Sequence, residues 1–66
     1  MSVAKVIEIS SSSTVSFDDA VKSGIAKASE TVKNIKSAWV QDQQVNVDNG
    51  SITEYRVILK LTFVIE

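Results

Sequence analysis

Residues 37–65, SAWVQDQQVNVDNGSITEYRVILKLTFVI, decide the fold. At their centre Asp48-Asn49-Gly50-Ser51 is a strong hairpin signal, because Asn and Gly both accept the positive φ that a two-residue type I′ turn demands. The flanking runs carry β-branched and aromatic residues, so the stretch reads as two long antiparallel strands. With Asn49 and Gly50 as the loop, counting outward sets a register. Asp48 faces Ser51, Val45 faces Glu54, Gln43 faces Arg56, Gln41 faces Ile58, Trp39 faces Lys60 and Ser37 faces Thr62. In the last strand the odd positions Tyr55, Val57, Leu59, Leu61, Phe63 and Ile65 are all apolar, which marks the face that lies under a helix. The other face is mixed: Trp39, Gln41, Gln43 and Val45 stand beside Glu54, Arg56, Ile58 and Lys60.

Upstream, the Val- and Ile-rich Val3 to Ile9 predicts a first strand. The polar run Ser10 to Thr14 then reads as a strand-to-helix connection. It lacks the glycines and the Gly-Lys-Ser/Thr ending of a phosphate-binding loop. Ser16 is placed to cap a helix starting at Phe17, with Asp19 three residues on and Asp18 at the positive end of the helix dipole. Phe17, Val21, Gly24, Ile25, Ala28, Val32 and Ile35 fall on one stripe, and Lys22, Lys27, Glu30 and Lys33 lie off it. The spacing predicts about five helical turns ending near Ile35 or Lys36. A glycine inside a helix costs about 1 kcal/mol relative to Ala, so Gly24 implies close approach of helix to sheet. The elements together make an α+β chain of order β-α-β-β, one domain over residues 1–66.

A chain of 66 residues buries a small core, since a 60-residue domain hides only about 60% of the surface its unfolded chain exposes. With no Cys and no His, neither disulfides nor thiolate or imidazole metal sites can supplement it. Self-association is the remaining common route, and the uncovered mixed face with its Trp and Arg suits a subunit contact or a planar-ligand site. A formal net charge of −1 gives no general attraction to nucleic acid or to an anionic membrane. The N-terminal MSVAKVIEIS alternates where a signal peptide has an unbroken apolar run, and no stretch approaches the roughly 20 apolar residues of a membrane span. The expected setting is the cytoplasm.

Taken together, MSVAKVIEIS, the helix FDDAVKSGIAKASETVKNIK and the terminal NGSITEYRVILKLTFVIE resemble the dodecins across essentially the whole chain. The resemblance implies a three-stranded antiparallel sheet wrapped around one helix and assembled into a hollow homododecamer. It also implies a flavin, riboflavin or FMN, bound near the three-fold contacts for storage or sequestration. In flavin-binding members a Trp directly after the helix stacks on the isoalloxazine, and a Gln in a Glu-Tyr-Gln motif of the last strand bonds the ring edge. An ungapped match puts Ser37 at the Trp position and Arg56 at the Gln position. Trp39 stands two residues later on the same strand face. The candidate ligand residues are therefore Trp39, Arg56, Ser37, Gln41 and Gln43. Arg56 has two readings, a fork for phosphate, carboxylate or reduced anionic flavin, or a structural partner for Glu54 or a neighbouring subunit's carboxylate. Trp39 is either a stacking platform or buried in a subunit contact. The alternative function is a shell that binds no flavin and holds ions or another small anionic ligand, or serves a structural role.

Catalysis is not expected. The chain offers no His or Cys and no paired-carboxylate motif, and Asp18 and Asp19 are accounted for by the helix start. Asp42, Asp48, Asn49, Glu54 and backbone carbonyls are oxygen donors of the kind that hold Ca²⁺ or Mg²⁺, particularly where subunits meet on a symmetry axis, but nothing has the spacing of an EF-hand loop, and solvated side chains are the simpler reading.

Overall fold

The computed structural model describes residues 3–65. Met1, Ser2 and Glu66, the ends of the expected domain, lie outside the described residues. The elements run β1 (Ala4–Ser13), α1 (Phe17–Ala28), β2 (Ile35–Asp48) and β3 (Ser51–Val64). They form one antiparallel sheet of order β1-β3-β2, which confirms the β-α-β-β architecture.

β3 is central and supplies the core. Val57, Leu59 and Leu61 are fully buried together with Ala20 of α1, and Ile7, Ile9, Phe17, Val21, Ile25, Ala28 and Ile35 pack around them. The alternation of β3 thus faces the helix as its sequence requires. Burying three such aliphatic side chains is worth about 1.5–3 kcal/mol each, a thin core for the conformational entropy of a whole chain. Phe17 closes one end against Tyr55, ring centroids 5.2 Å apart at 76°, an edge-to-face geometry that adds to the area buried.

The helix packs on β1 and β3. β2 is exposed along nearly its whole length, with only Ile35 and Asn46 half-buried. The molecule is correspondingly drawn out, 52 × 19 × 13 Å.

Three features depart from the sequence reading. First, the serines are strand: β1 continues through Ser13, pairing Ser10 with Ile58 and Ser13 with Tyr55. Their small size and hydroxyls serve the helix. Ser11 Oγ donates to the Ala20 carbonyl at 2.7 Å, while Ser13 Oγ donates to Asp19 Oδ2 at 2.7 Å and accepts the Val15 N–H at 2.9 Å. Ser16 caps α1 as expected, its Oγ accepting the Asp19 N–H at 3.0 Å.

Second, α1 has 12 residues instead of five turns. A turn follows Ala28, whose carbonyl accepts the N–H groups of Thr31 and Val32. Asn34 takes a left-handed φ of 64°, a conformation that Asn tolerates better than most residues. Ile35, which the helical stripe includes, opens β2 opposite Phe63 and joins the core from the sheet. The same apolar side chain satisfies both patterns, and the left-handed Asn34 decides between them.

Third, the hairpin turn is correct but the register is not uniform. Asn49 and Gly50 have φ of 54° and 78°, as a type I′ turn requires, and Asp48 faces Ser51. Irregularities between Ile35 and Ser37, Val40 and Asp42, and Asn46 and Val47 then interrupt the ladder. Between the last two, β2 is offset by one residue from the simple count, and a one-residue slip exchanges the faces. Gln44, not Gln43, stands opposite Arg56; Asp42, not Gln41, opposite Ile58; and Asn46, not Val45, opposite Glu54. The offset has a physical reason. It brings Val45 opposite Tyr55 on the helix side and turns Asp42, Gln44 and Asn46 to the outer face, where Asn46 Nδ2 donates to Glu54 Oε1 at 2.7 Å.

Candidate functional site

The outer face of the sheet, away from α1, is the surface on which the candidate residues meet. Ladder partners share a face, so the register defines it as four rows across β1, β3 and β2. These are Ser12, Arg56, Gln44; Ser10, Ile58, Asp42; Glu8, Lys60, Trp39; and Val6, Thr62, Ser37. Ser37, Trp39 and Arg56 therefore lie on one surface, as their sequence positions predict. Gln43 does not join them. It pairs with Val57 on the helix side, where it stays exposed because α1 does not reach over β2. Gln41 is the unpaired residue of the irregularity between Val40 and Asp42. Gln44 and Ser12 take the places beside Arg56. A straight count from the turn cannot find Gln44, and Ser12 lies in a segment whose composition reads as a loop.

Trp39 is 69% exposed, a large apolar area on an otherwise polar surface. It faces Lys60, with Ser37 one row further along.

At the other end of the face, a polar cluster spans all three strands. Arg56 Nε donates to Ser12 Oγ at 3.2 Å, and Asn46 Nδ2 donates to Glu54 Oε1 at 2.7 Å. The guanidinium Nη2 stands 3.7 Å from the same Glu54 oxygen, both side chains being partly exposed. The ion pair is thus loose and wet, the kind worth about 0–1 kcal/mol. The Glu54 partner anticipated for Arg56 is present, but its short hydrogen bond goes to Asn46.

A groove of about 760 Å³ opens elsewhere, between β1 and α1, lined by Ile9, Ser11, Ser23, Gly24, Lys27 and Thr31 among others. It holds none of the candidate ligand residues. Lys27 pairs with Glu30 at 3.5 Å on the solvent side. Among the described residues no three His, Cys, Asp or Glu side chains are grouped closely enough to hold a metal ion, and no helix is long and apolar enough to cross a membrane.

A small chain with one helix on a three-stranded sheet, a bare outer face and a long exposed hairpin defines the class. The model of the dodecin family matches residues 3–66, and the chain belongs to that family. It is 35% identical over 63 residues to the calcium dodecin of Mycobacterium tuberculosis, covering 96% of this chain and 89% of that one. The crystal structure of that calcium-chelating protein superposes with a TM-score of 0.83 at 34% identity, over 97% of this chain and 91% of the other. Dodecin from Streptomyces coelicolor superposes with a TM-score of 0.93 at 26% identity, over 98% and 93% of the two chains.

Proposed function

We propose that this chain is a non-enzymatic subunit of a homododecameric shell that holds ions or a small anionic ligand where copies meet, in preference to flavin. One observation carries this reading. The two positions that the family resemblance assigns to flavin both lie on the outer face, and they hold a serine hydroxyl and a guanidinium. Ser37 offers no plane for an isoalloxazine to stack on, and Arg56 replaces a neutral carboxamide with a fixed positive charge. The calcium chelation of the M. tuberculosis relative supports ions as the cargo. Asp42, Asp48, Asn49 and Glu54 are among this chain's oxygen donors, and a Ca²⁺ ion takes six to eight oxygens, more than these residues of one chain bring together. Self-assembly is supported by β2, a 14-residue edge strand left bare on both sides, with Val40, Val45 and Val47 exposed. Such an edge invites a partner.

A specific observation favours flavin as the second reading. Trp39 shares the outer face with Ser37 at two residues' distance, about 6.6 Å at a rise of roughly 3.3 Å per residue, and its ring is exposed. A flavin displaced along the sheet by that distance finds an indole.

One set of measurements separates the readings. Light scattering on the purified protein gives a mass near twelve times the 7.2 kDa subunit. Riboflavin and FMN then leave Trp39 emission and flavin emission unchanged at micromolar concentration, while Ca²⁺ or a small anion binds by calorimetry. A monomer defeats the shell, and mutual quenching of flavin and Trp39 gives the site to flavin.

A further inference from the structure

We infer that Arg56, with Ser12 behind it and Gln44 across from it, forms a recognition site for a compact oxyanion, a phosphate or carboxylate group taken two oxygens at a time. The inference deepens the proposed function, resting on the shell for the exclusion of bulk water from the outer face. Its geometry lies within one chain.

A guanidinium carries five N–H donors in a rigid fork. In Arg56 one of them, on Nε, is bound to Ser12 Oγ at 3.2 Å. The Glu54 oxygen nearest to Nη2 is 3.7 Å away, beyond hydrogen-bonding reach, and already accepts from Asn46 at 2.7 Å. The four N–H groups on Nη1 and Nη2 consequently find no hydrogen-bond acceptor among the described residues. Arg56 is oriented by its neighbours and not consumed by them. Ser12 on β1 and Glu54 on its own strand bear on it from two sides, leaving the paired Nη edge as the fork that matches the two oxygens of a carboxylate or phosphate.

The rest of the row is compatible. Gln44 is the β2 partner of Arg56, and its carboxamide is a neutral donor that pairs with no other described residue. Among the four rows described, the other charged residues are Glu8, Asp42 and Lys60. Asp42 and Lys60 stand one and two rows away, with Ile58 between Arg56 and Lys60, and Glu8 shares the Lys60 row. Among the described residues Glu54 is therefore the only carboxylate in contact with Arg56. Being partly exposed, it lowers the local positive potential without occupying the fork. A neutral ring edge offers the fork uncharged acceptors, whereas an oxyanion adds a full negative charge to its two oxygens.

The test titrates the intact assembled protein with inorganic phosphate and with citrate by calorimetry, beside Arg56→Gln and Arg56→Lys. Light scattering on the same samples reports the assembly separately. The two anions distinguish phosphate from carboxylate as the source of the oxygens. We expect wild type to bind at least one of them and both variants to bind it roughly tenfold or more weakly, since Gln removes the charge and Lys keeps it without the planar fork. Binding that survives Arg56→Lys unchanged, or assembled wild type that takes up neither anion at millimolar concentration, overturns the site. Loss of the dodecamer with Arg56-dependent binding intact overturns the shell instead.

Discussion

Gly24 of α1 lies directly over Ser11 of β1, so closely that a β-carbon at position 24 stands 2.9 Å from Ser11 Cβ and 3.1 Å from Ser11 Oγ. The atoms it meets belong to a short side chain anchored on a paired strand, whose hydroxyl is itself bound to the Ala20 carbonyl. They have little room to yield. Glycine is needed here for proximity, since its φ is unexceptional.

Gly24→Ala is accordingly expected to destabilise the protein despite the better helix propensity of Ala. Overpacking costs about 1–3 kcal/mol, and the propensity gain returns about 1 kcal/mol. The net loss, on the order of 1 kcal/mol, is read from denaturant midpoints of wild type and variant at equal concentration, because any self-association couples to stability. A higher midpoint for the variant removes the close contact as the reason for Gly24.

Ser12 and Ser13 are neighbours with opposite faces and opposite consequences. Ser13 is buried and its hydroxyl joins Asp19 to the Val15 N–H across the β1–α1 corner. Removing it leaves those partners short, so Ser13→Ala should cost about 1–3 kcal/mol. Ser12→Ala, on the exposed outer face, should stay within about 0.5 kcal/mol. Equal midpoints for the two variants contradict the assignment of faces.

These serines also show what the sequence reveals and what it hides. The alternation from Tyr55 to Phe63, the Asn49-Gly50 turn and the Ser16 cap are local signals, and the structure honours each one. The strand character of Ser10 to Ser13 is not local. It follows from pairing with Tyr55 to Ile58 of β3, and at Ser11 from a glycine thirteen residues on that brings the helix down onto the sheet, so that only a small side chain fits there. The ladder irregularities are likewise set by what lies across the sheet. Val45 gains Tyr55 as a neighbour only when β2 shifts by one residue, and the run Gln41-Asp42-Gln43-Gln44 contains nothing apolar to oppose the shift. The shared face of Trp39 and Arg56 was legible in the sequence, and the place of Gln44 beside Arg56 was not, because its face depends on that shift.

Trp39 provides a direct probe of the outer face. It is the one tryptophan of the chain and largely exposed in the subunit, so Trp39→Ala removes no core packing. The variant is expected to keep its secondary structure and denaturation midpoint within about 0.5 kcal/mol of wild type, while any planar ligand that wild type binds is held more weakly. An unchanged affinity for that ligand takes Trp39 out of the site. A collapse of the assembled mass places the indole in a subunit contact.

If Ser37 and Arg56 are what separates this surface from a flavin site, restoring the family's pair should restore flavin. Ser37 lies on the exposed outer face opposite Thr62, where an aromatic side chain suits a strand and displaces no core residue. Ser37→Trp supplies the stacking plane, with a strength of about 0.5–1.5 kcal/mol beyond area burial for aromatic pairs. Arg56→Gln replaces the charged fork with a carboxamide able to donate to and accept from the ring edge. The double variant is expected to quench riboflavin and FMN emission at micromolar concentration, each single variant less so, and wild type not at all. The two changes act on one ligand from different strands, so their effects should exceed additivity. A double variant that still ignores flavin while keeping the mass of wild type shows that the loss lies elsewhere. The next suspect is then the one-residue shift of β2, which replaces Gln43 by Gln44 in the row of Arg56 and alters the floor on which a ring would rest.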